Sequence, residues 1–206
     1  LNAKVSCRFL SDFTLARRSG VRNVAIVAHV DHGKTTLVDE LLKACSDQGG
    51  DRLMDSGDLE KERGITITSK VTRLDYKDTV INVVDTPGHA DFAGEVDRIL
   101  SMVDGICLVV DTCEGPMAQT KYVLSRALGQ GLVPLVLLNK ADRPDAQSKI
   151  DSGETESQVM DLFGSLGAKR DQMDYLTLYA SARQGMLHLI LKMISLYIYG
   201  NCILTR

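Results

Sequence analysis

From Arg22 onward, short β-branched runs alternate with helical stretches, and this alternation constrains the chain more than any other feature. Such a pattern is solved by a parallel sheet whose crossovers are helices. The expected strands are Asn23 to Ala28, Thr66 to Asp75, Thr79 to Val84, Gly105 to Asp111, Val133 to Leu138 and Leu176 to Ala180. Helices are expected after Lys34, after Pro87, after Pro116 and around Glu156 to Leu166. The runs Val21 to Val27 and Val133 to Leu138 are nearly continuous in apolar residues, as strands buried on both faces are, and they belong at the sheet centre. The fold class is therefore α/β, with a mostly parallel six-stranded sheet and helices on both faces.

With 206 residues, 44% of them apolar and 25% charged, the chain can close one hydrophobic core, so a single main domain is expected. A formal net charge of -3 excludes a protein that holds nucleic acid by bulk electrostatics. The five cysteines, Cys7, Cys45, Cys107, Cys113 and Cys202, are odd in number, and no Cys-x-x-Cys occurs. They read as reduced core thiols, which implies a reducing compartment, and they give a structural zinc site no support. Residues 1–20 carry Lys4, Arg8, Arg17 and Arg18 against Asp12, a composition that fits either a transit-like segment or an ordinary disordered leader. The main domain is expected over residues 21–185, followed by an atypical apolar tail, 186–206. Met186 to Ile198 is interrupted by His188 and Lys192, so it reads as a closing amphipathic helix with Leu187, Ile190, Leu191, Ile194 and Ile198 on one stripe, and not as a membrane anchor.

The chemistry-bearing segments stand at strand ends. Ala28-His29-Val30-Asp31-His32-Gly33-Lys34-Thr35 follows a buried run and opens a helix, the setting of a phosphate-binding loop. Backbone N–H groups from Asp31 to Thr36 and the helix N-terminus gather partial positive charge for phosphates. Lys34 adds a point charge for the β- and γ-phosphates, and the Thr35 hydroxyl suits Mg²⁺. Ala28 stands where the usual G-x-x-x-x-G-K-[ST] pattern has glycine, and a small residue fits there if its φ is negative. His29 and His32 make a poor metal pair, since two histidines cannot fill a tetrahedral site. Asp85, at the carboxyl end of the Thr79 to Val84 run, is the second magnesium-organising group, and Gly88 can offer its N–H to a γ-phosphate. Thr66, in Arg63-Gly64-Ile65-Thr66-Ile67, can complete the magnesium shell when that phosphate is present, although the charged run before it also fits a solvated helix face. Asn139-Lys140-Ala141-Asp142 supplies base readout: Asp142 accepts from the two N–H groups on the guanine edge, the Lys140 stem packs on the ring, and Asn139 braces the loops. Ser181 and Ala182 complete the pocket through backbone N–H groups.

In this order the motifs resemble the P-loop G domain of translational GTPases. Finer matches point to the BipA/TypA family: Ile26 to Leu37, Met54-Asp55-Ser56, Gly94-Glu95-Val96, Glu114 to Thr120 and Asn139 to Ala146, extended by Asp161-Leu162-Phe163, Leu166-Gly167-Ala168 and Tyr179 to Ala182. Alanine at the position of Ala28 is usual in that family. The resemblance runs from Arg22 to about Gly185 and implies GTP/GDP and Mg²⁺ as cofactors. It also implies ribosome-stimulated hydrolysis that serves ribosome assembly or stress-dependent translation. His89 then orients the attacking water, with Thr66 and Lys34 assisting in catalysis. The ribosome is the implied partner, for a monomeric chain without a membrane. A cytoplasmic site is expected, with a mitochondrial matrix or plastid stroma as the alternative. A second reading is a truncated nucleotide-binding module without effective turnover.

Overall fold

The computed structural model describes residues 20–45, 71–77, 79–86, 93–181 and 190–195. Its strands are β1 (Gly20–Ala28), β2 (Val71–Tyr76), β3 (Thr79–Asp85), β4 (Gly105–Asp111), β5 (Val133–Asn139) and β6 (Leu176–Tyr179). The helices are α1 (Lys34–Cys45), α2 (Ala93–Leu100), α3 (Ala118–Gly129), α4 (Ala146–Ser152), α5 (Glu154–Ser165) and the single turn α6 (Arg170–Met173). Residues 190–195 are also helical. The strands form one six-stranded sheet in the order β2-β3-β1-β4-β5-β6, parallel throughout except for the antiparallel β2·β3 pair.

Two-residue periodicity explains why β1 from Val24 onward, β4 and β5 are nearly continuous in apolar residues. Val24 and Ile26 of β1, Cys107 and Val109 of β4, and Leu135 and Leu137 of β5 all point to one face. There they meet Leu37, Val38 and Leu41 of α1 together with Ile190, Leu191 and Ile194. The alternate residues Ala25, Val27, Ile106, Leu108, Val110, Val136 and Leu138 point to the other face. They pack there on Val96, Ile99 and Leu100 of α2, Val123, Leu124 and Leu128 of α3, and Val159, Leu162 and Phe163 of α5. A strand covered on both sides must be apolar at every position. The helices read from the sequence after Lys34 and after Pro116 lie within a few residues of α1 and α3, and Ala93, the first residue of α2, is the first described residue after Pro87.

Several details differ from the sequence reading. β5 lies inside the sheet but second from its edge, with β1 and β4 at the centre. Val21, at the start of the apolar run, is 54% exposed, whereas Arg22 is buried. The second strand is described from Val71, and the expected start at Thr66 lies outside the described residues. Two helices, α4 and α6, were not expected. In α4 only Ala146 is buried, so no apolar period announces it. It ends at Gly153, whose φ of 67° places it in the left-handed region, and α5 starts directly after that residue. In α6, the buried Gln172 donates to the carbonyls of Leu128 and Leu132 at 3.0 and 3.1 Å, so a polar contact fixes it to the end of α3.

All five parallel strands deliver their carboxyl ends to one edge. Because β1 lies between β3 and β4, the strand order reverses beside the end of β1, the place where sheets of this kind commonly bind their ligands. No helix among the described residues is long and apolar enough to cross a membrane. The helical residues 190–195 bury Ile190, Leu191 and Ile194 while Lys192 faces solvent. Truncation of a fully buried isoleucine removes its transfer energy and leaves a cavity. Ile194→Ala is therefore expected to lower unfolding stability by about 2–4 kcal/mol, and Lys192→Ala to change it by less than about 0.5 kcal/mol. Urea unfolding of both variants measures this, and equal effects would mean that this helix does not seal the core.

Candidate functional site

β1 ends at Ala28 and α1 begins at Lys34, and the five residues between them turn the chain back over the strand end. Two of the five take positive φ, Asp31 at 66° and Gly33 at 88°, whereas Ala28 does not. Ala28 is thus free of the strain that a Cβ suffers in the left-handed region. Gly33 has a second reason to lack a side chain, since a Cβ there would lie 2.6 Å from Asn139 Nδ2. That same amide donates to the His32 carbonyl at 2.9 Å, so the loop after β1 and the loop after β5 are joined by a buried hydrogen bond.

Lys34, at the first turn of α1, sends its ammonium back across the loop. Nζ lies 2.7 Å from Asp85 Oδ1 and donates to the Thr86 carbonyl at 2.9 Å. Thr86 is held in turn by its hydroxyl, which donates to the Ile26 carbonyl at 2.6 Å. An ammonium has three N–H donors, so these two acceptors are compatible with a third, such as a phosphate oxygen. Asp85 is 2% exposed at the end of β3, while Thr35 is half-buried and Thr36 exposed at the start of α1. Lys34, Thr35 and Asp85 are therefore brought to one end of β1 and β3, where Ile26 pairs with Asp85.

His32 departs from a ligand-facing role for its ring. The side chain is fully buried, with Nδ1 3.4 Å from the Val109 carbonyl and Nε2 3.5 Å from Glu114 Oε2. Its ring lies edge-on to that of His29, with centroids 5.2 Å apart. Only the backbone of His32 is placed to serve the loop. No cluster of three or more His, Cys, Asp or Glu fit to hold a metal occurs among the described residues.

On the other side of β1, the loop after β5 carries Asn139, buried, Lys140, half-buried, and Asp142, exposed. Lys140 has a φ of 59°, so the chain turns sharply after the strand. Ala141 N–H donates to the Ala180 carbonyl at 3.0 Å and Ala180 N–H to the Leu138 carbonyl at 2.8 Å, which fastens this loop to the end of β6, where Ser181 is 6% exposed. Asp142 is thus an exposed residue that directly follows the Ala141 N–H tied to the end of β6. The four remaining sequence candidates, Thr66, Gly88, His89 and Ala182, lie outside the described residues.

Asp111 was missed as a site residue. It closes β4, is fully buried, and lies 2.7 Å from Lys140 Nζ and 3.3 Å from Arg143 Nη1 through Oδ2. Burial alone would raise its pKa, but Lys140, the Cys113 N–H and Arg143 outweigh that and hold the carboxyl below its usual range. The available signal was an acid at the carboxyl end of a wholly apolar strand, the same signal that singled out Asp85. Cys107 in β4 is buried, and desolvation pushes its thiol up to about 12, which makes it an inert core group.

Burial lowers the pKa of His32 below 6.5, assisted by His29 and opposed by the Val109 carbonyl, Glu114 and Asp111. At pH values between the depressed folded value and 6.5 the unfolded chain binds a proton that the folded chain does not. Stability from this group is therefore full above 6.5 and is lost as pH falls toward the folded value. The urea midpoint is expected to drop between about pH 7.5 and pH 5.5, and less so in His32→Asn. An identical pH dependence in parent and variant would assign the drop to other groups.

The family model for the elongation factor Tu GTP binding domain matches residues 19–199, past the end of the resemblance read at Gly185. The large ribosomal subunit assembly factor BipA of Synechocystis is 59% identical over 170 residues, 80% of this chain and 28% of that protein. BipA of Bacillus subtilis is 54% identical over 173 residues, 82% of this chain and 28% of the relative. A chloroplastic putative TypA-like elongation factor of Arabidopsis thaliana is 52% identical over 83% of this chain and 26% of its own length. The chain thus spans little more than a quarter of these curated relatives. Among solved structures, a bacterial selenocysteine-specific elongation factor superposes with a TM-score of 0.66 at 28% identity, covering 83% of this chain and 27% of the other. The SelB elongation factor of Methanococcus maripaludis, solved with the GTP analogue GppNHp, superposes with a TM-score of 0.64 at 24% identity over 84% of this chain and 33% of that one, and so supports the fold alone. With a P-loop after β1, a doubly covered parallel sheet and a family match over most of its length, the chain belongs to the elongation factor Tu GTP binding domain family.

Proposed function

We propose that this chain binds GTP with Mg²⁺ and hydrolyses it to GDP and phosphate, as the G domain of a ribosome-associated factor of the BipA/TypA kind. The observation that carries this reading is the hydrogen bond from Asn139 to the His32 carbonyl, which makes a phosphate-type loop and a base-type loop one rigid body. A ligand with phosphates at one end and a base at the other suits such a body. Asp31, His32, Gly33, Lys34, Thr35 and Thr36 would wrap the phosphates with backbone N–H groups, and Lys34 would add its charge. Asp142 would accept from the guanine N1–H and N2–H₂, a pattern adenine lacks, with the Lys140 stem on the ring. Ser181 and Ala182 would meet the O6.

The donor set at the phosphate end suits magnesium, which prefers hard oxygens and keeps several of its waters. Thr35 and Asp85 offer such oxygens at the end of β1 and β3, and Thr66 is the proposed third contributor. When bound, the ion neutralises charge on the transferred phosphoryl group. Gly88 would contact the γ-phosphate and His89 would hold the attacking water, both on the strength of the family resemblance. The same reading treats residues 21–185 as the nucleotide-binding domain, with the core helix at 190–195 closing it, preceded by a leader over residues 1–20. It takes the chain to work as a monomer on the ribosome and away from membranes. The bacterial relatives support a cytoplasmic setting, and the chloroplastic relative keeps a plastid setting as the alternative.

Competition binding with fluorescent GDP tests the base and phosphate assignments. GTP and GDP are expected to displace the probe and ATP is not. Asp142→Asn should weaken guanine binding by about 1–3 kcal/mol, and Lys34→Ala should nearly abolish it. Displacement by ATP as effective as by GTP would overturn the guanine reading. The turnover assignment is tested with this chain joined to the domains that follow the matched region in a full-length relative, assayed with and without ribosomes. His89→Ala is expected to leave GTP affinity within about twofold and to cut stimulated turnover by about a hundredfold or more. Unchanged turnover would make His89 a bystander.

A further inference from the structure

We propose that Asp111 is a positioning residue for base recognition, acting through Lys140; this rests on the guanine-nucleotide reading above. In the β4·β5 ladder Asp111 pairs with Asn139, so its carboxylate stands beside the first residue of the Asn139-Lys140-Ala141-Asp142 loop. Both oxygens are committed: Oδ1 accepts the Cys113 N–H at 2.8 Å, and Oδ2 faces Lys140 Nζ at 2.7 Å and Arg143 Nη1 at 3.3 Å. The carboxylate is fully buried, while the Lys140 side chain is 21% exposed and Arg143 is 46% exposed.

This arrangement fixes Lys140 at both ends. Its backbone is held in the left-handed region at a φ of 59°, and its ammonium is anchored on Asp111. Four methylenes between two fixed points form a bar of defined direction. A free lysine has wide rotamer freedom, and a ligand that packs on its stem must suppress it at the moment of binding. Here that freedom is already lost in the folded chain. The anchored ammonium also meets a carboxylate in a poorly solvated place, where the pair is stronger than at the surface and where removal of one partner strands the other. Asp111 has no route to the nucleotide of its own, because its oxygens are occupied and it is buried behind Lys140. Arg143 adds a second, longer contact to the same oxygen.

The test is a double-mutant cycle on fluorescent GDP affinity with Asp111→Asn and Lys140→Met, the latter keeping an apolar stem without the ammonium. Each single variant is expected to raise Kd by about tenfold, and the double variant to be no weaker than Lys140→Met alone. In GTP hydrolysis without ribosomes, Asp111→Asn should raise KM and leave kcat within about twofold, a split that loss of overall structure would not produce. Asp111→Glu, which retains the charge, should bind GDP more tightly than Asp111→Asn. Should Asp111→Asn fail to fold, the same coupling is read from Asp111→Glu against Lys140→Met. Additive losses in the double variant, or GDP binding by Asp111→Asn equal to the parent, overturn the proposal. A parent chain that does not bind GDP instead removes the nucleotide reading on which it stands.

Discussion

Burial of both faces of β1, β4 and β5 is the constraint from which the site follows. A strand sealed on two sides turns polar where the covering ends: β1 carries Arg22 and Asn23 before its sealed stretch from Val24 to Ala28, and all three strands give way to polar residues at their carboxyl ends. β1 gives way to the loop from His29 to Gly33, β4 ends on Asp111 and β5 on Asn139. Parallel pairing then sets these ends side by side, since Val109 stands next to Ala28 and Asp111 next to Asn139. The cluster of polar groups is thus a consequence of how the apolar residues are patterned.

Such a cluster is expensive unless its charges are matched, because each ion loses solvation that only a partner or a hydrogen bond can replace. Three different solutions occur within a few residues. Asp85 is met by Lys34 and Asp111 by Lys140. His32 has the Glu114 carboxylate and the Val109 carbonyl beside its ring, yet its burial outweighs both and disfavours the charged form. A hydrophobic replacement of either buried pair would often be no less stable. Stability therefore gives little reason for Lys34 and Lys140 to be cations, whereas the nucleotide proposed as the ligand would give a good one.

The readable part of this architecture is the part governed by periodicity and by punctuation at strand ends. Nearly continuous apolar runs announced β1 and β5, and the residues that follow or close β1, β3 and β5 announced Lys34, Asp85 and Asn139. What escaped was governed by contacts between distant parts. The turn of α6 depends on the Gln172 amide reaching the carbonyls of Leu128 and Leu132, 44 and 40 residues away. α4 buries a single residue and carries no amphipathic stripe. Asp111 looked like the last letter of a strand, because its partner Lys140 is set by the lateral register of β4 on β5, which no local pattern encodes. The ring of His32 turned into the core for the same kind of reason: the Val109 carbonyl and Glu114 belong to a neighbouring strand and its loop.

The hydrogen bond from Asn139 to the His32 carbonyl has a consequence for how affinity is distributed over a two-ended ligand. Gly33 permits the close approach, since any Cβ there would collide with the same amide. The Asn139 carbonyl also accepts from both the N–H and the hydroxyl of Thr112, at 2.9 and 2.7 Å, so the side chain and the backbone of one residue bind two different loops. Thr112 is fastened further, its carbonyl receiving the Thr155 hydroxyl of α5 at 2.7 Å. The loop after β1, the loop after β5 and the start of α5 are consequently tied into one body. In such a body, contacts made at one end are held in register for the other, and a ligand that satisfies both ends gains more than the two halves bound separately. Under the proposed function, Asn139 would thereby govern phosphate affinity and base selectivity together, by holding the two loops in register.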